Sequence, residues 1–193
     1  MNALNHERPD MNTLAAQIAE HLAGWTAEPC DGQWLAYLVH ADGPKLALRH
    51  NDGRVKIMGT WPIGAKGQHF YPYNQSADIS CAINRGAPAI AKEIGRRLLP
   101  AYLPLWQEQD RKRQEAEQSD REAEALVRRL EDLFGLGHRD HSRNGRNDAM
   151  HVYFNRASFT VYRYGSCKVD ISTDDPDAVL RLAEFVKTFK AED

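Results

Sequence analysis

The 193-residue chain is 42% hydrophobic and 27% charged, with a formal net charge of −2. That balance excludes wholesale disorder and a globally basic nucleic-acid coat, while leaving room for a local basic patch. Its longest apolar runs, such as Trp34-Leu35-Ala36-Tyr37-Leu38-Val39, fall well short of the roughly 20 residues that cross a bilayer. Met1 to Asp10 is polar and has no signal-peptide core, so a soluble, cytoplasmic protein without membrane contact is expected. Cys30, Cys81 and Cys167 lie far apart and form no Cys-x-x-Cys pair, which reads as reduced, structural thiols.

In chain order, Thr13 is the expected cap of a first helix with Leu14, Ile18 and Leu22 on its core face and Gly24 at its end. Three strands follow, over Gln33 to His40, Lys45 to His50 and Arg54 to Thr60. They are joined by the turns Ala41-Asp42-Gly43-Pro44 and Asn51-Asp52-Gly53. Asp-Gly between apolar runs is a hairpin signal because both turn positions favour positive φ. Two more short strands are expected at Gln68 to Tyr73 and Asp78 to Ile83. A helix opens near Pro88, with Ile90, Ile94 and Leu98 facing the sheet and Lys92, Arg96 and Arg97 facing water. Pro100 and Pro104 predict a kink or break, then a restart near Pro104.

From Gln107 to Glu124 the chain is strongly helical in composition yet almost free of apolar residues. Opposite charges recur four apart, as in Glu108 with Lys112 and Glu117 with Arg121. Such a helix spans solvent, bridges lobes or pairs with a second copy. Leu126, Leu130, Leu133 and Phe134 restore an apolar face before Gly135 and Gly137 stop it. Three further strands (Ala149 to Phe154, Ser158 to Tyr164, Cys167 to Thr173) precede a helix capped by Asp175, with Val179, Leu182, Phe185, Val186 and Phe189 as its buried face. A constant offset of 114 lays Arg49, Val55 and Ile57 on Arg163, Val169 and Ile171, which suggests either a duplication or convergent hairpin patterning. The expected architecture is α+β in two lobes, each an antiparallel sheet flanked by helices. Residues 1–104 form the first, 105–137 a long charged linking helix, and 138–193 a three-stranded sheet plus helix.

One block, Ile79-Ser80, Asn84-Arg85-Gly86-Ala87-Pro88, Ala91, Glu93-Ile94, Arg96-Arg97-Leu98-Leu99-Pro100 and Tyr102, resembles a strand-turn-helix segment of uncharacterised proteins from bacteriophages, plasmids and integrative elements. The resemblance covers only this block and implies a mobile-element context, not a reaction.

Several clusters are candidate sites. His138, His141, Asp148 and His151 are imidazoles and a carboxylate of the kind that ligate Zn²⁺ or Mn²⁺, although a loop of this sort is not preorganised and a solvated loop is the plainer reading. Arg139, Arg143 and Arg146 in the same loop could contact phosphates. The order of the second lobe matches double-stranded-RNA-binding domains. However, the last helix opens Asp174-Asp175-Pro176-Asp177, which repels phosphate where those domains place lysines. Gly59 to Gly67 departs from a phosphate-binding loop at Ala65 and Gly67 and opens no helix. The stretch from Trp61 through Lys66, His69, Phe70 and Tyr71 mixes aromatics with cations. It could stack bases or anchor a protein, or its aromatics could complete the core.

No nucleophile elbow or sequence-adjacent Cys–His pair is present, so no enzyme activity and no cofactor are expected. The leading expectation is a non-catalytic binding protein of a phage or mobile element that engages a host protein or nucleoprotein complex, for example as an anti-defence or anti-CRISPR inhibitor. The alternatives are a nucleic-acid-binding protein using Lys92, Arg96 and Arg97 or the 138–147 loop, and a metal-dependent enzyme at the histidine loop.

Overall fold

The computed structural model describes residues 10–137, 149–162 and 165–188. The fold is α+β, with a five-stranded and a three-stranded antiparallel sheet and one long helix. It divides into two compact units, residues 1–114 and 115–193, and the boundary falls inside that helix.

In the first unit, α1 (Met11–Ala19) is capped by Asp10, whose carboxylate accepts from the Asn12 N–H at 3.0 Å. Thr13, the expected cap, lies inside the helix and donates its hydroxyl to Asp10 Oδ2 at 2.8 Å. The sheet is a meander in chain order: β1 (Trp25–Pro29), β2 (Leu35–His40), β3 (Lys45–Asn51), β4 (Arg54–Gly59) and β5 (Asp78–Ala82). The Asn51-Asp52-Gly53 turn has Asp52 at φ 46° and Gly53 at φ 70°, the conformation its sequence calls for. Alternation sets the inner face. Ala36, Leu48, Ile57 and Ile79 pair across four strands as one fully or nearly buried row. Met11, Leu14 and Ile18 of α1, with Ile90 of α2 (Ala87–Glu93), belong to the same core.

Gln68 to Tyr73 is not a strand. Only a single Ile63↔His69 bridge forms there, because Gly64 and Gly67 close a tight turn between those two residues.

Pro100 and Pro104 do not break the helix. α2 passes into a π turn (Ile94–Leu98) and then into α3 (Leu99–Leu133), which runs unbroken with Pro104 inside it. The π turn is one residue wider, with the Leu99 N–H bonding the Ile94 carbonyl. That widening precedes Pro100 directly and makes room for its ring, so the chain absorbs the proline without leaving the helix. From Gln107 to Arg121 the helix is mostly exposed, as its composition predicts, but Gln109 is buried.

The second unit holds β6 (Ala149–Phe154), β7 (Ala157–Tyr162), β8 (Cys167–Ile171) and α4 (Pro176–Lys187). The second half of α3 packs on the sheet through Ala123, Val127, Leu126 and Leu130, joined by Phe134 just past its end. The Phe134 ring stacks on Phe154 with ring centres 4.4 Å apart. Gly135, at φ 66°, ends the helix while Leu136 N–H reaches back to the Glu131 carbonyl at 2.8 Å. Leu133, expected on the core face, points outward at 75% exposed.

Asp175 caps α4 as expected. Its apolar face is not buried: Val179, Leu182, Phe185 and Val186 are all exposed, with Phe185 at 58%. Within this unit α3 occupies the β6–β7 part of the apolar sheet face, and α4 lines an open groove beside Ile171. Phe189 lies outside the described residues.

The offset of 114 is not carried into strand pairing. Leu35 pairs with Arg49, which would set Ala149 opposite residue 163, yet Ala149 pairs with Tyr162. Leu46 pairs with Gly59, which would set Thr160 opposite residue 173, yet Thr160 pairs with Lys168. The two sheets therefore share strand spacing without sharing register, as independent hairpin patterning produces.

Candidate recognition surface

The outer face of the first sheet is built by the same alternation that buries its inner face. With Ala36 and Leu38 pointing inward, Tyr37 points outward. Lys45 holds its Nζ 3.9 Å over the Tyr37 ring and 2.7 Å from Glu28 Oε1.

At the end of β4 the chain meets Tyr102, a wholly buried tyrosine. Its hydroxyl accepts from the Lys45 N–H at 3.1 Å and faces the Thr60 and Lys45 carbonyls at 2.7 and 3.0 Å. Burial pushes its pKa up to about 12. Gly59 lies flat on this ring: a Cβ there would stand 2.2 Å from Tyr102 Cδ2. Trp61 meets the same ring edge-on at 5.6 Å.

Beyond Trp61 the chain folds into a small stitched loop. Gly64 N–H bonds the Gln68 carbonyl at 2.8 Å, and Phe70 N–H bonds the Pro62 carbonyl at 3.1 Å. These bonds hold Ile63, His69 and Tyr71 toward solvent, with Ile63 57% and Tyr71 62% exposed. His69 and Tyr71 stack at 5.3 Å with 14° between planes. Together with Tyr37, Lys45 and Trp61 they line a groove of about 380 Å³. Tyr73, farther along, is 88% exposed.

Of the expected residues here, Trp61, His69 and Tyr71 come together in this groove, and Lys66 sits exposed on the same loop. The aromatics divide between the two readings their sequence allowed: Trp61 packs partly against the core, while Tyr71 stays outside. Tyr37, Lys45 and Ile63 were not singled out from sequence. The signal that finds the first two is strand alternation, which places them on the face opposite Leu38 and Leu46.

A second cluster lies on α2 and the π turn. Glu93 receives Arg96 at 3.1 Å and Arg97 at 3.4 Å, and Arg85 approaches to 4.0 Å. The Arg96 bond, helped by Arg97 and Arg85, holds the Glu93 carboxyl below its ordinary pKa. Three guanidinium groups on one carboxylate leave the cluster net positive, and Lys92 is exposed on α2 as well.

His138, Arg139, His141, Arg143, Arg146 and Asp148 lie outside the described residues. His151 is on β6, half-buried, with Nδ1 3.1 Å from Thr160 Oγ1. Among the described residues, no group of three or more His, Cys, Asp or Glu is placed to hold a metal ion, and no helix is long and apolar enough to cross a membrane.

Comparison with protein-family models, curated proteins and solved structures finds no match to this chain.

Proposed function

We propose that the chain is a non-catalytic binding protein whose recognition surface is the aromatic groove of its first unit. The supporting observation is the group Ile63, His69 and Tyr71, held outward by a hydrogen-bonded loop beside a groove with a lysine at its edge. Exposed large apolar side chains on a fixed loop resemble the anchors of protein interfaces, where aromatic residues carry much of the affinity. Preorganisation by the loop lowers the ordering cost of binding. The partner is a protein or nucleoprotein complex of a bacterial host. The block Ile79 to Tyr102 supports a phage or mobile-element setting and, within it, an anti-defence or anti-CRISPR role. In this reading the long charged helix joins two lobes, and the protein works in the cytoplasm without a cofactor.

The arginine cluster around Glu93 favours a second reading, nucleic-acid binding through Lys92, Arg96 and Arg97, because its excess positive charge suits phosphate. One experiment separates the two. The wild-type chain is used to capture a partner from host lysate, and the partner's affinity is then measured for Ile63→Asp with Tyr71→Ala and for Arg96→Ala with Arg97→Ala. Loss of about tenfold or more for the groove pair alone supports the proposal. Strongly salt-dependent DNA or RNA binding lost in the arginine pair, with the groove pair unaffected, replaces it by the second reading.

A further inference from the structure

β8 is an edge strand, and all five of its residues are exposed. Among the described residues, no strand pairs with its far side. Edge strands are commonly blunted by proline, bulges or awkward charge. β1, an edge of the first sheet, ends in Pro29. β8 has neither proline nor bulge, and its two charges, Lys168 and Asp170, are of opposite sign and two residues apart.

The register to β7 fixes which backbone groups are free. Tyr162 N–H bonds the Ser166 carbonyl at 2.9 Å, and Ser172 N–H bonds the Arg156 carbonyl at 2.9 Å. By alternation, Lys168 and Asp170 turn their amides toward β7, while Cys167, Val169 and Ile171 turn theirs toward the empty edge. The side chains follow the same division. Cys167, Val169 and Ile171 share the face of Val161, Phe159 and Ala157, their partners on β7. Val169 and Ile171 are 51% and 46% exposed there. Lys168 and Asp170 share the opposite face, 2.9 Å apart.

We propose that β8 pairs antiparallel with β8 of a second copy, about a two-fold axis at Val169, making one continuous sheet across the dimer. In that register Val169 meets the partner's Val169 and exchanges both N–H···O=C bonds with it, and Cys167 does the same with the partner's Ile171. Lys168 falls opposite the partner's Asp170, and Asp170 opposite the partner's Lys168. These are the closer, non-hydrogen-bonded pairs, in which opposite charges favour pairing and like charges oppose it. The strand is therefore complementary to itself in charge, hydrogen bonding and apolar face. β5, also an edge, lacks this property: paired about Ser80 it would set Asp78 against Ala82. The dimer also brings the partner's strand to the mouth of the open groove of about 530 Å³ that Ile171 shares with Leu182 and Phe185. A two-fold contact of this kind uses one patch twice.

The test is sedimentation of the full chain from about 1 to 100 μM, a range that resolves dimers of micromolar affinity. The wild type is expected to dimerise. Lys168→Asp and Asp170→Lys each place like charges opposite one another across the axis and are expected to weaken the dimer about tenfold or more, with circular dichroism unchanged. The two single variants mixed together regain opposite pairs and form a heterodimer, and Lys168→Asp combined with Asp170→Lys in one chain regains the homodimer. A wild type that stays monomeric throughout the range overturns the proposal, whether or not another protein binds the edge. So do single variants that dimerise as tightly as the wild type, the result expected if the contact were the charged helix.

Discussion

Gly59 and Tyr102 show how tightly one residue constrains another in the first unit. The ring cannot retreat from a new methyl group, because its hydroxyl is tied to Lys45 and Thr60. Gly59→Ala is expected to destabilise the unit by about 1–3 kcal/mol, the usual cost of overpacking, measured by denaturant unfolding. Tyr102→Phe removes the hydroxyl and leaves the space, so a smaller loss of about 1–2 kcal/mol is expected. The two differ in pH dependence. With its folded pKa at about 12 against the ordinary tyrosine value of 10.0, Tyr102 keeps its proton longer when folded. Its contribution is present below pH 10 and is lost as pH rises from about 10 to 12. Wild type minus Tyr102→Phe stability, plotted against pH, should fall across that window by on the order of 2–3 kcal/mol. A flat difference would mean the hydroxyl is not held as described.

At the scale of elements, helical periodicity predicts that an apolar face exists but not what covers it. α3 and α4 make the comparison. Leu130 packs in the core of the second unit, whereas Phe185 is 58% exposed. Leu130→Ala should therefore cost about 2–4 kcal/mol and Phe185→Ala under about 1 kcal/mol in chemical denaturation. Equal losses would place α4 in the core after all. Strands β2, β3 and β4 were legible because strict alternation and an Asp-Gly turn act locally. β1 was not: Trp25 to Pro29 is short and ends in proline, and only the Trp25/Ala27 alternation marks it. The Gln68 to Tyr73 aromatics look like a strand, yet the glycines at 64 and 67 claim the backbone for a turn. The π turn has no local signature beyond the prolines that follow it. In the recognition surface, His69 and Tyr71 were legible as unusual residues in a breaker-rich loop. Tyr37 and Lys45 were hidden, because inside a strand an outward aromatic or lysine looks ordinary until its neighbours are known.

For the whole molecule, the two hydrophobic cores share no residue. One is built entirely from positions 11–106, the other from positions 123–161. A fragment of residues 1–114 should therefore fold without the rest, with a cooperative unfolding transition and Tyr102 buried, detectable by fluorescence and circular dichroism. A fragment that stays unfolded would show that the first core depends on the second unit. The block Ile79 to Tyr102 lies wholly inside the first unit, and its residues have two distinct roles there. Ile79, Ala87, Ala91, Ile94, Leu98 and Tyr102 are buried, while Arg85, Arg96 and Arg97 gather on Glu93 at the surface.

The π turn at Ile94–Leu98 also acts as an index mark on the helix. One additional residue in a turn sets everything beyond it back by about 100° relative to a plain α-helix of the same sequence. Everything upstream is anchored by Ile90 and Ala91, so that phase decides which side chain reaches Gly59. Deleting Gly95, whose Cβ position faces open space, would remove no contact of its own. It would let the π turn close to a plain α-turn and so leave Tyr102 at the same angle to Gly59. Deleting a residue from the α-helical stretch between Leu98 and Tyr102, which holds no such extra residue, would instead turn Tyr102 about 100° away from Gly59.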